Sequence, residues 1–80
     1  MTTENLIKEI NNIFIEVLDD DDIVISGETT SYDIDDWDSL NHIHLVVAIE
    51  KHFKIRFTSQ EIQSWDNVND MIANMKEKGV

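Results

Sequence analysis

The chain has 80 residues, no Cys and 17 acidic side chains against six Lys and Arg, which gives a formal net charge of −11. This charge argues against direct nucleic-acid binding, because such binding depends on Lys and Arg that neutralise phosphates. The length allows one modest hydrophobic core, so we expect a single domain over residues 1–80. The longest apolar run, residues 45–49, is far shorter than the roughly 18 residues of a membrane span, so we expect no span and a cytoplasmic protein.

The clearest predicted element is an amphipathic helix over residues 4–18. Thr2 or Thr3 can cap its start, and the acidic run 19–22 would be unfavourable at a helix C-terminus, so the run marks its end. The apolar residues of this segment share one helical face: Leu6, Ile7, Ile10, Ile13, Phe14, Val17 and Leu18.

A long loop follows, because residues 23–37 mix Gly27 with Ser, Thr, acids and isolated apolar residues. Loops of this length are uncommon in compact domains unless they are functional or packed, so we expect this loop to belong to a functional surface.

Three further helices are predicted. Asp38 or Ser39 can cap a second helix over residues 40–53, and an extended connector of residues 54–57 leads to a short helix. Thr58 and Glu61 form a capping-box pattern at the start of that short helix. Asp66 or Asn67 can cap the last helix. We therefore predict an all-α bundle with this core: Leu6, Ile10, Phe14, Val17, Ile43, Val47, Phe53, Ile62, Val68 and Ile72.

Neither a metal site nor a catalytic serine is expected. His42 and His44 would lie roughly 200° apart on a helix, too far around it to share a metal ion. The acidic run 19–22 lacks the Ca²⁺-loop pattern. The Gly-x-Ser-x-Gly elbow of serine hydrolases is also absent.

The negative charge is unevenly distributed. Residues 1–38 hold twelve acids and one base, whereas residues 39–80 hold five of each. The whole net charge therefore lies before Ser39. Such a field favours a basic partner surface and speeds the encounter with it.

The motif Asp38-Ser39-Leu40 stands at the start of the second helix, after a long loop, and residues 45–50 and Phe53 follow it. In this arrangement nearly the whole chain resembles the acyl carrier protein family. The resemblance implies a four-helix bundle of the acyl-carrier type, with three longer helices, one short helix and a long loop between helices 1 and 2.

The resemblance also implies a 4'-phosphopantetheine arm on Ser39, flanked by Asp38 and Leu40 and attached by a phosphopantetheinyl transferase. The thiol of the arm would hold acyl or aminoacyl groups as thioesters, and the carrier itself would not be an enzyme. A chain without Cys fits this expectation, because the thiol arrives with the arm.

Five residues are expected to contact partner enzymes: Asp35, Asp36, Trp37, Asn41 and His44. Trp37 is also interpretable, and with slight preference, as a structural staple that packs on the first turn of the helix. The expected partners are the transferase, an acyl- or aminoacyl-loading ligase and downstream transferases or synthases, and we expect the carrier to be a monomer. Fatty-acid carriers commonly place acids at the positions of Asn41 and His44, so this chain favours a specialised pathway such as polysaccharide, lipid or secondary-metabolite assembly.

Two alternatives remain open. Ser39 could be an ordinary helix cap. The chain could then be an acidic interaction module that is never modified and binds a basic partner through residues 19–38, in which case Ser39 would be dispensable.

Overall fold

The computed structural model describes residues 2–80, and this part of the chain folds into four helices without any strand. The helices are α1 (Thr3–Leu18), α2 (Ser39–Phe53), α3 (Ser59–Ser64) and α4 (Val68–Glu77). The predicted all-α class and the order of long helix, long loop, helix, short helix and helix are confirmed. Within residues 2–80, no helix is both long enough and apolar enough to cross a membrane.

The helix starts follow the capping residues of the sequence. The side chain of Thr2 accepts a hydrogen bond from the amide of Asn5 at 3.2 Å, and Thr58 and Glu61 form the predicted capping box. α1 and α2 end at Asp19 (φ 53°) and Lys54 (φ 58°), which adopt the left-handed conformation that closes a helix C-terminus. Asp is one of the few residues other than Gly that tolerates this conformation well.

The core lies between α1, α2 and α4. Phe14 is its largest fully buried side chain. It contacts Trp37, which lies two residues before the start of α2, whereas Glu9 meets His52 near the end of α2 at 3.1 Å, so α1 and α2 run antiparallel. The buried core residues are Leu6, Ile10, Ile13, Phe14, Leu18, Ile23, Ile25, Leu45, Ile49, Val68, Met71, Ile72 and Met75.

The predicted core is wrong on the face of α2. Ile43 and Val47 are exposed at 60% and 42% of their surface, while Leu45, Val46 and Ile49 are buried. Apolar residues occur all around this helix, so its periodicity alone did not indicate which face would pack. Three other residues of the predicted core are only half-buried: Val17, Phe53 and Ile62.

Hydrogen bonds attach the long loop to α1 and to the start of α4. The side chain of Asn11 in α1 accepts a hydrogen bond from the amide of Ile25 at 2.7 Å and donates one to the carbonyl of Ile23 at 3.2 Å. Both isoleucines are buried. Further along the loop, the carbonyl of Thr29 accepts a hydrogen bond from the amide of Val68 at 3.0 Å, the first residue of α4. The loop therefore approaches α2 along a defined path.

Candidate functional site

Ser39 is the first residue of α2, and its side chain is exposed. The carboxylate of Asp38 caps the helix by accepting a hydrogen bond from the amide of Asn41 at 2.8 Å. Among residues 2–80, no acceptor faces the backbone amides of Ser39 and Leu40. The hydroxyl therefore stands beside unpaired N–H groups and the positive end of the helix dipole, a setting that favours an attached phosphate.

Asn41 connects the helix to the loop before it. Its side-chain amide donates a hydrogen bond to the carbonyl of Asp36 at 2.7 Å, which holds the end of the loop against the first turn. Asp35, Asp36 and His44 are exposed. Asn41 is half-buried and has a structural contact, so any role in partner binding would be additional.

Trp37 is half-buried and packs against the core. Its ring meets the ring of Phe14 edge to face at a centroid distance of 4.9 Å. Its indole nitrogen donates a hydrogen bond to Nδ1 of His42 at 3.0 Å. Trp37 therefore has the structural role that the sequence allowed, and it links the core to the first turn of α2.

A groove of about 660 Å³ opens beside Ser39. It lies between the end of the long loop, the first turn of α2, the end of α3 and the start of α4. Its volume falls within the range of roughly 300–1,000 Å³ that is typical of sites for small molecules. The lining residues are Ser31, Trp37, Asp38, Ser39, His42, Gln63, Trp65, Asp66, Asn67 and Met71.

His42 lies one helical turn after Ser39 and lines the same groove. Burial lowers the pKa of His42 below its ordinary value of 6.5, because the charged form loses solvation, so the neutral ring dominates near pH 7. The indole N–H of Trp37 can only donate, so Nδ1 of His42 is the acceptor and the ring proton lies on Nε2. No acceptor within residues 2–80 pairs with this Nε2–H group.

Aromatic rings continue across the groove from His42 to α3. The rings of His42 and Trp65 have centroids 6.1 Å apart, and Trp65 meets Phe57 edge to face at 4.8 Å. Together with Trp37 and Phe14, these residues form a continuous row of rings from the core to the connector before α3. The groove is therefore bounded by large, mutually packed side chains.

Glu61 holds the short helix α3 against α4. Its carboxylate accepts hydrogen bonds from the amide of Thr58 at 2.8 Å and from the side chain of Asn74 at 2.7 Å, and it pairs with Lys78 at 3.0 Å. These contacts lower the pKa of Glu61 to about 2, and the hydrogen bond from the Thr58 amide has the largest effect. Glu61 is therefore ionised at neutral pH and helps to keep this wall of the groove in place.

An apolar stripe lies on the exposed face of α2. It consists of Leu40, Ile43 and Val47, which occur at helical spacing and are exposed at 65%, 60% and 42%. Leu40 was predicted as a residue flanking Ser39, and helical spacing could have placed Ile43 and Val47 on the same face as Leu40. Such a row beside an acidic loop is a surface suited to a partner protein.

Seven of the ten lining residues named above were not predicted as site residues, and His42 and Trp65 are the two of these that contribute aromatic rings. His42 was considered only as a metal ligand, although its position three residues after Ser39 indicates a shared face. Nothing in the sequence indicated that Trp65 lies near Ser39, because this proximity depends on how α3 packs. Within residues 2–80, no group of three or more His, Asp or Glu side chains is arranged to hold a metal ion.

Comparisons with known proteins match this geometry. Residues 8–75 match the family described as "Phosphopantetheine attachment site". The structure is similar to the solution NMR structure of the holo acyl carrier protein from Geobacter metallireducens, with a TM-score of 0.83 and 43% sequence identity. The alignment covers 90% of this chain and 83% of that one. Among curated proteins, no significant match is found.

Proposed function

The chain belongs to the acyl carrier protein family, whose cofactor is a covalently attached 4'-phosphopantetheine, and we propose that Ser39 is the residue that bears this arm. As a member of this family it is a carrier protein and not an enzyme. The proposal treats residues 1–80 as one carrier domain, and the family match spans most of that length.

The observation that carries the proposal is the exposed hydroxyl of Ser39 at the start of a long helix. The hydroxyls of the other serines are less suited to carry the arm. Ser64 donates its hydroxyl proton to the carbonyl of Glu61 at 2.6 Å, and the hydroxyl of Ser26 contacts that of Thr29 at 3.4 Å. Ser31 lies in the loop. Ser59 also begins a helix, but α3 has only six residues and therefore a weaker dipole.

The chemistry required of this chain is simple. The oxygen of Ser39 forms a new bond to phosphorus, the pyrophosphate bond of coenzyme A breaks, and adenosine bisphosphate leaves, while the transferase accepts the hydroxyl proton. The chain presents the hydroxyl and stabilises the resulting phosphodiester with the first-turn amides and the dipole of α2. When bound, the arm supplies the thiol on which acyl or aminoacyl groups travel as thioesters.

Carriers of this family interact with modifying and biosynthetic enzymes. We propose that this chain meets its transferase, loading ligase and downstream synthases through the acidic residues Asp35 and Asp36 and the apolar stripe of α2. The exposure of both features and their position on either side of Ser39 support this assignment. The proposal includes a monomeric, cytoplasmic carrier of a specialised pathway, because Asn41 and His44 stand where fatty-acid carriers commonly have acids.

The experiment is intact mass spectrometry after incubation with coenzyme A, Mg²⁺ and a broad-specificity phosphopantetheinyl transferase. The wild-type chain should gain the mass of one phosphopantetheine group, and Ser39→Ala should gain none. Ser59→Ala is the matched control, since Ser59 also occupies the first position of a helix, and it should gain one group.

A wild-type chain that gains no mass would contradict the proposal and support the alternative of an unmodified acidic interaction module. A gain that persists in Ser39→Ala would move the attachment point to another hydroxyl. Circular dichroism of each variant confirms that the bundle is folded before the masses are compared.

A further inference from the structure

We propose that the groove beside Ser39 is a docking site for the phosphopantetheine arm itself, with the Nε2–H group of His42 donating a hydrogen bond to an amide carbonyl of the arm. This inference rests on the proposed attachment at Ser39. It adds a binding site on the carrier for a group that would otherwise extend freely into solvent.

The position of the groove favours the arm over an independent ligand. Ser39 is itself one of the lining residues, and the neighbouring Asp38 lines the groove too. A chain that starts from the Ser39 oxygen therefore begins at the rim of the groove. Because the attachment is covalent, the effective concentration of the arm at this site is high, and weak contacts are sufficient to dock it.

His42 offers a fixed hydrogen-bond donor at this place. Its Nδ1 atom accepts the indole proton of Trp37 at 3.0 Å, which holds the ring in one orientation. The remaining Nε2–H group is a donor without an acceptor in residues 2–80. A pantetheine arm has two amide carbonyls and therefore presents the acceptor that this donor lacks.

The walls suit the rest of the arm. The geminal methyl groups and methylene segments of pantetheine are apolar, and Trp37, Trp65 and Met71 supply apolar surface along the groove. Gln63 and Asn67 line the same groove and can pair with the amide N–H groups and the hydroxyl of the arm. Among residues 2–80, no Lys or Arg lines the groove, so apart from the first-turn amides of α2 its walls suit a neutral amide chain better than an anion.

The test compares apo and holo protein by nuclear magnetic resonance, with an unlabelled arm on a chain labelled with ¹³C and ¹⁵N. Isotope-filtered spectra should contain nuclear Overhauser effects between the geminal methyl protons of the arm and the indole ring of Trp65. Tryptophan fluorescence gives a second readout, since both tryptophans of the chain line the groove and their emission should change between the apo and holo forms.

His42→Phe tests the donor, because phenylalanine keeps a flat ring beside Trp37 and lacks the N–H group. It also removes the Nδ1 acceptor of the Trp37 indole proton, so circular dichroism first confirms that the variant is folded. The ratio of docked to free arm should fall severalfold, since loss of one hydrogen bond changes an equilibrium constant by about 2- to 10-fold. The thiol of the arm should then react correspondingly faster with an alkylating reagent. His52→Phe is the matched control, because His52 lies near the other end of α2, and it should behave like the wild type.

Two outcomes overturn the inference while leaving the proposed function intact. One is a fully modified wild-type chain in which the arm shows no Overhauser effects to either tryptophan. The other is a His42→Phe variant whose Overhauser effects and thiol reactivity equal those of the wild type. Failure of the wild-type chain to gain the mass of the arm would instead contradict the proposed function.

Discussion

At the scale of single residues, the hydrogen bond between His42 and Trp37 depends on the protonation state of His42. His42 is half-buried, it stacks beside Trp37 with a centroid distance of 6.0 Å, and its Nδ1 atom can accept the indole proton only while the ring is neutral. Protonation would place a second donor opposite the indole N–H and remove that hydrogen bond. The neutral ring and the intact contact with Trp37 therefore require each other.

This coupling predicts a pH dependence of stability. Burial lowers the pKa of His42 in the folded chain, so between the folded pKa and 6.5 the unfolded chain binds more protons. The free energy of unfolding should therefore decrease as the pH falls below about 6.5. In thermal unfolding, Tm should drop between about pH 7.5 and about pH 5.5, and His42→Gln should show a smaller drop.

His44 and His52 are present in both proteins, so the difference between the wild type and His42→Gln isolates His42. Equal slopes of Tm against pH in the two proteins would show that burial of His42 does not shift its proton equilibrium.

At the scale of a helix, the orientation of α2 predicts which of its apolar residues contribute to stability. Leu45 is 2% exposed and Ile43 is 60% exposed, although the two residues are only two positions apart. Leu45→Ala should lower the free energy of unfolding by about 2–5 kcal/mol, because it leaves a cavity in the core. Ile43→Ala should change it by about 0.5 kcal/mol or less.

Urea unfolding followed by circular dichroism measures both variants, and the m-value checks that the two transitions expose similar surface. A larger loss for Ile43→Ala than for Leu45→Ala would mean that α2 packs with its other face inward.

Most of the elements were predictable because their ends carry side chains with a local role. Asp38 caps α2, and Thr58 with Glu61 caps α3. α1 was equally clear, since its apolar residues form one face. The face of α2 was not predictable from periodicity, because Ile43 and Val47 are as apolar as the buried Leu45. Packing against α1 decides between them, and that is a property of the whole fold.

The site was predictable to a lesser extent. Ser39 and its flanking residues were recognised by a motif that is local in sequence. The groove depends on residues that are distant in the chain, since Trp65 follows α3 and Asn67 caps α4. The hydrogen bond between Trp37 and His42 joins residues five positions apart, but nothing in the sequence indicates that these two rings meet.

The whole molecule is electrically asymmetric. All of its net negative charge lies before Ser39, and residues 39–80 are neutral overall. Asp35 and Asp36 are exposed in the loop that leads to α2. A basic enzyme surface would therefore be attracted to the side of the site where the loop ends.

If this field steers the transferase, replacing Asp35 and Asp36 with Lys should slow modification by about tenfold at low salt. The effect should shrink at about 1 M salt, where the Debye length falls to about 3 Å. Glu77→Lys serves as a single-site control at the far end of α4, which begins beside the groove and extends about 15 Å away. Initial rates from intact mass spectra measure the effect, and rates that are unchanged at both salt concentrations would remove the steering role.

The central claim is that Ser39 bears the arm, and tandem mass spectrometry of peptides from the modified wild-type chain tests it most directly. The phosphopantetheine group should be located on the peptide that contains Ser39, and fragment ions should assign it to that hydroxyl. The hydroxyls of Ser26, Ser31, Ser59 and Ser64 should remain unmodified. Location of the group on any of these other residues would contradict the account.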